Sequence, residues 1–159
     1  MKRVIFVCLG NICRSPMAEA IFKNMLKKRG LEGKIVVDSA GTSSWHVGER
    51  PHHGALNKLR EYNIPTDGII ARQLKKEDFE KFDYIVGMDQ SNIRDIRRIL
   101  GQPDHPKIFR FLDLTDHKKD VPDPYYTGDF QETYELVVEG CEALLNKILE
   151  DMEKENLVL

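Results

Sequence analysis

Residues 4–17 read VIFVCLGNICRSPM and combine the patterns of a strand, a loop and the start of a helix. The apolar run Val4–Val7 is typical of a buried strand. Ser15 and Pro16 precede a helical pattern, and proline is favoured at the first helical position because its missing N–H would be unpaired there anyway. The sequence therefore predicts that the loop Cys8–Arg14 joins a strand to a helix N-terminus.

This loop has the composition of an anion-binding site. A loop that enters a helix points several backbone N–H groups at one spot, and the helix dipole adds partial positive charge there. Gly10 leaves the backbone open to a ligand, and Arg14 can hold a tetrahedral oxyanion through two parallel hydrogen bonds. The same donors would stabilise a thiolate at Cys8, on the floor of the loop. A thiolate below a phosphate site predicts phosphoryl transfer through a phosphocysteine.

Length and composition indicate one ordinary domain, and we expect residues 1–159 to form it. Hydrophobic residues make up 41% of the chain, charged residues make up 31%, and the formal net charge is -2. This charge gives no reason to expect nucleic acid or an anionic membrane as a partner. No apolar run approaches the roughly 20 residues of a membrane helix. Three cysteines do not make a secreted disulfide framework, so we expect a cytoplasmic enzyme with free thiols.

Strand and helix patterns alternate along the rest of the chain. Further strands are predicted at Ile35–Val37, Tyr84–Met88 and Lys107–Phe111. Helices are predicted at Pro16–Arg29, His53–Tyr62, Lys76–Lys81 and Phe130–Glu153, with a further helix that Asp89 caps and that continues through Leu100. We expect the second strand to stop at residues 38–41. This order predicts an α/β domain of three layers, with a central four-stranded parallel sheet and helices on both faces. Ligands of such folds bind beyond the carboxyl ends of the strands, where the phosphate-binding loop follows the first strand.

Two polar loops could reach the same edge of the sheet. One carries the only tryptophan, Trp45, which is explained equally well as a core anchor or as the rim of a site. The other, Asp113–Asp129, contains Asp123 followed by Pro124, Tyr125 and Tyr126. A phosphocysteine mechanism needs a proton donor for the leaving oxygen, and Asp123 is the best candidate. Taken alone, an Asp-Pro pair is also a common turn.

Four motifs, in order and spacing, resemble the low-molecular-weight protein tyrosine phosphatases. They are CLGNICRS at residues 8–15, DSAG at 38–41, MDQSN at 88–92 and DPYY at 123–126. The resemblance covers nearly the whole chain and implies a cysteine-dependent phosphoric monoester hydrolase. It implies that Cys8 is the nucleophile and that Arg14, with the backbone N–H groups of the loop, binds phosphate. It also implies that Asp123 first donates a proton to the leaving group and then activates water.

The resemblance implies further roles around this centre. Asn11 would brace the loop with Ser39 as its partner, and Ser15 would hydrogen-bond the thiolate. The residues implied to bind or flank the substrate are Leu9, Gly10, Asn11, Ile12, Cys13, Ser15, Trp45, Tyr125 and Tyr126. Cys13 is similar to a second loop cysteine that in relatives forms a reversible disulfide with the nucleophile, although it could also be a small buried side chain. Several relatives have a histidine where Ile69 stands, so we expect a simpler brace here.

Three rival functions share some of these features. An arsenate reductase on the same fold needs resolving cysteines downstream, and only Cys141 lies downstream, within a predicted helix. Protein arginine phosphatases of the family carry a small polar residue where Ile12 stands, whereas Ile12 gives the mouth an apolar edge suited to an aromatic ring. A non-catalytic phosphate-binding module would be expected to lack Cys8 or Asp123.

We therefore expect a cytoplasmic protein tyrosine phosphatase with a phosphate-binding P-loop. Its expected partners are phosphotyrosine-containing proteins, with inorganic phosphate as product, and no nucleic acid or membrane. The five histidines show no ligand spacing, so neither a metal nor another cofactor is expected. We expect the chain to act as a monomer.

Overall fold

Four parallel strands form the centre of the molecule, in the order β2-β1-β3-β4. The structure, a computed structural model, describes the backbone of residues 1–158 and the side chains of residues 1–156. The strands are β1 (Lys2–Cys8), β2 (Ile35–Gly41), β3 (Tyr84–Gly87) and β4 (Ile108–Arg110). Every pairing is parallel, so the predicted α/β fold with a four-stranded parallel sheet is confirmed.

Helices cover both faces of the sheet. They are α1 (Arg14–Lys28), α2 (His53–Glu61), α3 (Asp78–Lys81), α4 (Gln90–Leu100), α5 (Pro124–Thr127) and α6 (Phe130–Val158), with a 3₁₀ turn at Phe111–Leu114. None of the helices within residues 1–158 is long and apolar enough to cross a membrane.

The side chains of β1 alternate between two cores, as the pleat of a strand requires. Val4 and Phe6 point into the larger core, which α1, α2 and α6 cover. Ile5 and Val7 point into the smaller core, which α4 covers. All four side chains are fully buried, which explains why this run carries no polar residue. Because β1 lies inside the sheet, the loop that follows it emerges at the middle of the carboxyl edge.

The second strand is longer than predicted. The predicted stop at residues 38–41 was wrong, because β2 continues to Gly41 and stays in register with β1 up to the pair Cys8 and Gly41. Its polar residues are accommodated by partners on other elements, since Arg72 binds Asp38 and the Ser39 hydroxyl donates to Glu19. Sequence patterns do not reveal such partners.

Helix boundaries also differ from the predictions. α1 begins at Arg14, two residues before the predicted start, so the last residues of the motif form its first turn. Part of the predicted loop Asp113–Asp129 is helical, because Pro124–Thr127 forms α5. The last helix continues five residues beyond its predicted end at Glu153 and reaches Val158.

Candidate active site

The phosphate-binding loop was predicted as Cys8–Arg14, and in the structure residues 9–13 connect the end of β1 to the first turn of α1. Cys8 is the last residue of β1 and is 3% exposed. The free N–H groups of the first helical turn therefore lie beside the sulfur. A cavity of about 160 Å³ lies at this point of the sheet edge. It is lined by Cys8, Leu9, Gly10, Ile12, Cys13, Trp45, His46, Asp123, Tyr125 and Tyr126.

The loop can pass close to β2 because residue 41 is glycine. A Cβ at Gly41 would lie 2.8 Å from the carbonyl oxygen of Leu9, which is too close for any side chain. The backbone beyond β2 is then tied to the loop, since Thr42 N–H donates to the Cys8 carbonyl and Ser43 N–H to the Leu9 carbonyl, both at 2.9 Å. The DSAG motif thus serves as a backbone support for the loop.

A directed chain of hydrogen bonds leads from Asn11 to the sulfur of Cys8. The Oδ1 atom of Asn11 accepts from the backbone N–H of Arg72 at 3.0 Å, which fixes the orientation of the amide. Its Nδ2 atom then donates to Oγ of Ser15 at 2.8 Å and to Oγ of Ser39 at 3.0 Å. Since Ser15 Oγ accepts from Asn11, its own proton is free for the sulfur of Cys8 at 3.0 Å. The contacts of Asn11 thus orient the Ser15 hydroxyl toward the sulfur of Cys8.

Asn11, Ser15 and Ser39, the residues predicted to support the loop, therefore lie together. Asn11 has a φ of 57°, in the left-handed region that asparagine tolerates better than most residues. The side chains of Asn11 and Ser15 lie behind the loop and do not line the cavity, although both were also predicted to bind the substrate. Any contact of these two residues with phosphate would have to come from their backbone.

Glu19 ends this network and was not among the residues predicted for the site. Its side chain is 6% exposed, accepts from Oγ of Ser39 at 2.6 Å and forms an ion pair with Lys23. Ile69, at the position of the histidine of several relatives, is packed in the larger core instead. One signal in the sequence could have revealed Glu19: it lies four residues after Ser15, on the same face of the helix, among buried residues.

Three groups hold the buried guanidinium of Arg14. Its Nη1 atom donates to Oδ2 of Asp89 at 2.7 Å and to the carbonyl of Val121 at 3.0 Å, and Nη2 donates to Oδ2 of Asp123 at 3.3 Å. Burial alone would lower the pKa of Arg14, but the charges of Cys8, Asp123 and Asp89 raise it above its ordinary value. Among the residues that the structure describes, its buried Nε atom has no hydrogen-bond partner. The cationic group thus retains a donor for an oxyanion.

Asp123 lies on the cavity wall because it caps α5. Its Oδ1 atom accepts from the backbone N–H of Tyr125 at 3.1 Å, and Pro124 occupies the first helical position. The short helix places two exposed aromatic side chains at the wall of the cavity, Tyr125 at 55% and Tyr126 at 75% exposure. Trp45, which is 74% exposed, lines the cavity as well and is not a core residue.

The three cysteines differ in their surroundings, although all are free. Burial, followed by the charges of Cys8 and Asp123, raises the pKa of Cys13 to about 12. Cys13 is therefore a protonated thiol at neutral pH and a poor nucleophile. Cys141 is fully buried in the larger core, and this burial raises its pKa as well. A reversible disulfide between Cys8 and Cys13 stays a prediction.

Comparison with known proteins identifies the family. The family model described as low molecular weight phosphotyrosine protein phosphatase matches residues 3–156. The chain belongs to this family. The family predicted from the four motifs is thus confirmed, and with it the assignment as a hydrolase.

Relatives within the family match over nearly their whole length. The low molecular weight protein-tyrosine-phosphatase YfkJ of Bacillus subtilis is 50% identical over 155 residues, 96% of this chain and 99% of that protein. Its crystal structure superposes with a TM-score of 0.92, covering 95% of this chain and 96% of that one. PtpA of Staphylococcus aureus is 46% identical, covering 95% and 96% of the two chains. The crystal structure of DARP, drosophila arginine phosphatase, is 35% identical with a TM-score of 0.82, covering 93% and 98%.

Proposed function

We propose that this protein hydrolyses phosphotyrosine in proteins through a phosphocysteine intermediate. The observation that carries the proposal is the set of groups around one cavity. The Cys8 sulfur lies 3.0 Å from the Ser15 hydroxyl, and the guanidinium of Arg14 lies 3.3 Å from the carboxylate of Asp123. These groups supply a nucleophile, an oxyanion-binding cation and an acid. The tyrosine phosphatase names of the relatives YfkJ and PtpA support the same activity.

In the first step the thiolate of Cys8 attacks phosphorus. The P–S bond forms as the bond between phosphorus and the aryl oxygen breaks, and Asp123 gives its proton to that oxygen. The guanidinium of Arg14 and the backbone N–H groups of residues 9–14 bind the three other oxygens. These donors are already in place, so they stabilise the transition state without reorganisation.

In the second step water hydrolyses the phosphocysteine. Asp123, now a carboxylate, takes a proton from the attacking water, the P–S bond breaks and inorganic phosphate leaves. Cys8 departs as a thiolate, and the hydroxyl of Ser15 at 3.0 Å can hydrogen-bond the returning charge. No step requires a metal or another cofactor.

The walls of the cavity favour an aryl phosphate. Ile12, Trp45 and Tyr125 offer apolar and aromatic surface to a flat ring. A phosphoarginine side chain would place a polar guanidino group against this apolar and aromatic surface, which costs desolvation. The fold alone does not distinguish phosphotyrosine from phosphoarginine as the substrate, because the relative DARP, with a similar structure, is named an arginine phosphatase. The choice therefore depends on Ile12 and its aromatic neighbours.

A kinetic comparison tests the substrate class. We expect kcat/KM for phosphotyrosine peptides to exceed that for phosphoserine and phosphoarginine peptides by about tenfold or more, with EDTA present throughout. Arsenate should not be reduced. Equal rates for phosphotyrosine and phosphoarginine would contradict the argument from Ile12.

A substitution tests the nucleophile. Cys8→Ser should abolish turnover of 4-nitrophenyl phosphate while circular dichroism remains that of the wild type. Acid quench of the wild type during turnover should trap phosphate on Cys8, as read by mass spectrometry. Iodoacetate at mildly acidic pH should modify Cys8 before Cys13 and Cys141. Normal turnover by Cys8→Ser would rule out the proposed mechanism.

We further propose that residues 1–159 act as a single phosphatase domain, as a monomer and in the cytoplasm, on phosphotyrosine-containing proteins. The proposed nucleophile, cation and acid all belong to one chain, so the proposed mechanism needs no residue from a second copy. The three free cysteines fit a reducing compartment. Sedimentation velocity should give one species with the mass of a single chain.

A further inference from the structure

Arg110 cross-links the segment that leads to the proposed acid. It is the last residue of β4, at the same carboxyl edge of the sheet as the phosphate-binding loop. Its Nε and Nη2 atoms both donate to Oδ1 of Asp113, at 3.0 and 2.8 Å. Nη2 also donates to the carbonyl of Lys118 at 2.9 Å, and Nη1 donates to Oδ1 of Asp120 at 3.1 Å. The guanidinium, only 16% exposed, thus joins Asp113, just before one loop, to Lys118 and Asp120 within that loop.

The loop held in this way has little structure of its own. Residues 115–123 form neither helix nor strand, and residues 116–120 are all exposed. Lys118 has a φ of 41°, in the left-handed region that is unfavourable for lysine. Arg110 binds the carbonyl of this strained residue. Asp120 is fixed a second time, because its Oδ1 atom accepts from the backbone N–H of Gln90 at 3.0 Å.

Asp120 lies three residues before Asp123, and the residues between them are connected to the active site. The N–H of Val121 donates to the carbonyl of Met88 at 2.9 Å, and its carbonyl accepts from Nη1 of Arg14 at 3.0 Å. Arg14 also binds the carboxylate of Asp123. The proposed acid is therefore held by Arg14 on the side of the phosphate site and by the loop on the other side. Without the cross-link at Arg110, the contacts of Gln90, Met88 and Arg14 would still hold the end of this segment, but Asp113, Lys118 and Asp120 would lose their common partner.

We infer that Arg110 is a positioning residue for proton donation by Asp123. This inference rests on the proposed function, in which Asp123 is the acid. A misplacement of about 1 Å in a reacting group costs up to about 100-fold in rate. Single exposed ion pairs contribute little, but an arginine that binds two carboxylates and a carbonyl in fixed geometry restrains all three segments.

A double-mutant cycle with two esters tests this role. Phenyl phosphate has a poor leaving group that needs the proton, whereas 4-nitrophenyl phosphate has a good one. Arg110→Ala should lower kcat/KM for phenyl phosphate about tenfold and for 4-nitrophenyl phosphate about twofold or less. In the Asp123→Ala background, Arg110→Ala should change kcat/KM for either ester by less than about twofold, because no acid remains to be positioned.

Arg98→Ala provides the matched control, because Arg98 is 70% exposed and pairs only with Asp95 among the described residues. Its kcat/KM should equal that of the wild type with both esters. Arg110→Lys keeps the positive charge without the planar guanidinium. Its kcat/KM for phenyl phosphate should therefore lie between those of Arg110→Ala and the wild type. If Arg110→Ala does not fold, Asp120→Asn weakens the same cross-link and enters the cycle in its place.

Three results would overturn the inference. An equal loss with both esters, or a loss that persists in the Asp123→Ala background, would make Arg110 a purely structural residue. No loss with phenyl phosphate would also exclude the positioning role. If Asp123→Ala alone leaves kcat/KM for phenyl phosphate unchanged, the acid of the proposed function is wrong, and Arg110 has nothing to position. This last outcome is distinguishable because it does not involve Arg110.

Discussion

Asp89 performs two tasks with its two carboxylate oxygens. Oδ1 accepts from the backbone N–H of Asn92 at 2.7 Å and caps α4, and Oδ2 accepts from Arg14 at 2.7 Å. Arg14 is 3% exposed, and a buried cation that loses its partner is strongly destabilising. The sequence motif MDQSN thus links a helix cap to the orientation of Arg14, the arginine that we propose binds phosphate.

Two substitutions separate these tasks. Asp89→Ala removes both the cap and the ion pair, so we expect the free energy of unfolding to fall by about 3 kcal/mol. Asp89→Asn keeps an oxygen for the cap but loses the charge that holds Arg14. Its stability loss should be smaller, while kcat/KM for 4-nitrophenyl phosphate should fall about tenfold in both variants. Urea denaturation and steady-state kinetics measure the two effects, and wild-type kinetics in Asp89→Asn would contradict the role in orienting Arg14.

The start of α2 is joined to the active-site loop through His52. The Nδ1 atom of His52 caps α2 by accepting from Gly54 N–H at 3.0 Å, and its backbone N–H donates to the Ile12 carbonyl at 2.7 Å. Its ring stacks on those of His53 and Phe130, with centroids 4.2 and 5.4 Å away. Since Nδ1 can accept only when it is unprotonated, this cap depends on pH.

The sign of the pH effect follows from the surroundings of His52. Burial, followed by the charges of His53 and His46, lowers the pKa of His52 below its ordinary value. The unfolded chain therefore binds more protons, and the stabilisation present above about pH 6.5 is lost as the pH falls through the lower folded pKa. We expect His52→Asn, which caps without titrating, to lose less unfolding free energy than the wild type between pH 7.5 and 5. Identical losses in urea denaturation would show that His52 does not contribute.

Across the whole molecule, an aromatic cluster joins the sheet to the helices on its larger face. The ring of Phe6 on β1 packs edge-on against Phe22 of α1 and Phe111 of the 3₁₀ turn, at centroid distances of 5.9 and 5.3 Å. α6 approaches Phe111 at Gly140, where a Cβ would lie 2.6 Å from the ring. Because the 3₁₀ turn leads into the loop of Asp123, this packing positions the base of that loop.

Gly140→Ala tests how closely the helix and the turn are packed. In a helix interior this change normally stabilises by about 0.5–1 kcal/mol, but overpacking a core costs about 1–3 kcal/mol. We expect the cost of overpacking to exceed the gain in helix propensity, with a net loss of about 1 kcal/mol in the free energy of unfolding. Glu142→Ala, at an exposed position of α6, should stay within about 0.5 kcal/mol of the wild type. A more stable Gly140→Ala would show that Phe111 moves freely.

Local patterns predicted most elements and the centre of the site. The apolar run Val4–Val7 and the Ser-Pro start of α1 depend on side-chain periodicity and backbone geometry, which neighbours in sequence determine. The boundary of β2 was missed for the opposite reason. Asp38 and Ser39 would usually end a strand, but their partners Arg72 and Glu19 lie 34 and 20 residues away.

The amino-acid sequence alone determined the family, the order of strands and helices, and the placement of Cys8 and Arg14 at the two ends of one loop. Each of these depends on short patterns, and the residues of each pattern lie within a few positions of one another. Only the tertiary structure decided that Asp89 holds Arg14 from 75 residues away, and that Arg110 cross-links the loop before Asp123. Charged side chains of this kind are common on any surface, and what distinguishes them is the partner that chain folding brings within hydrogen-bond distance.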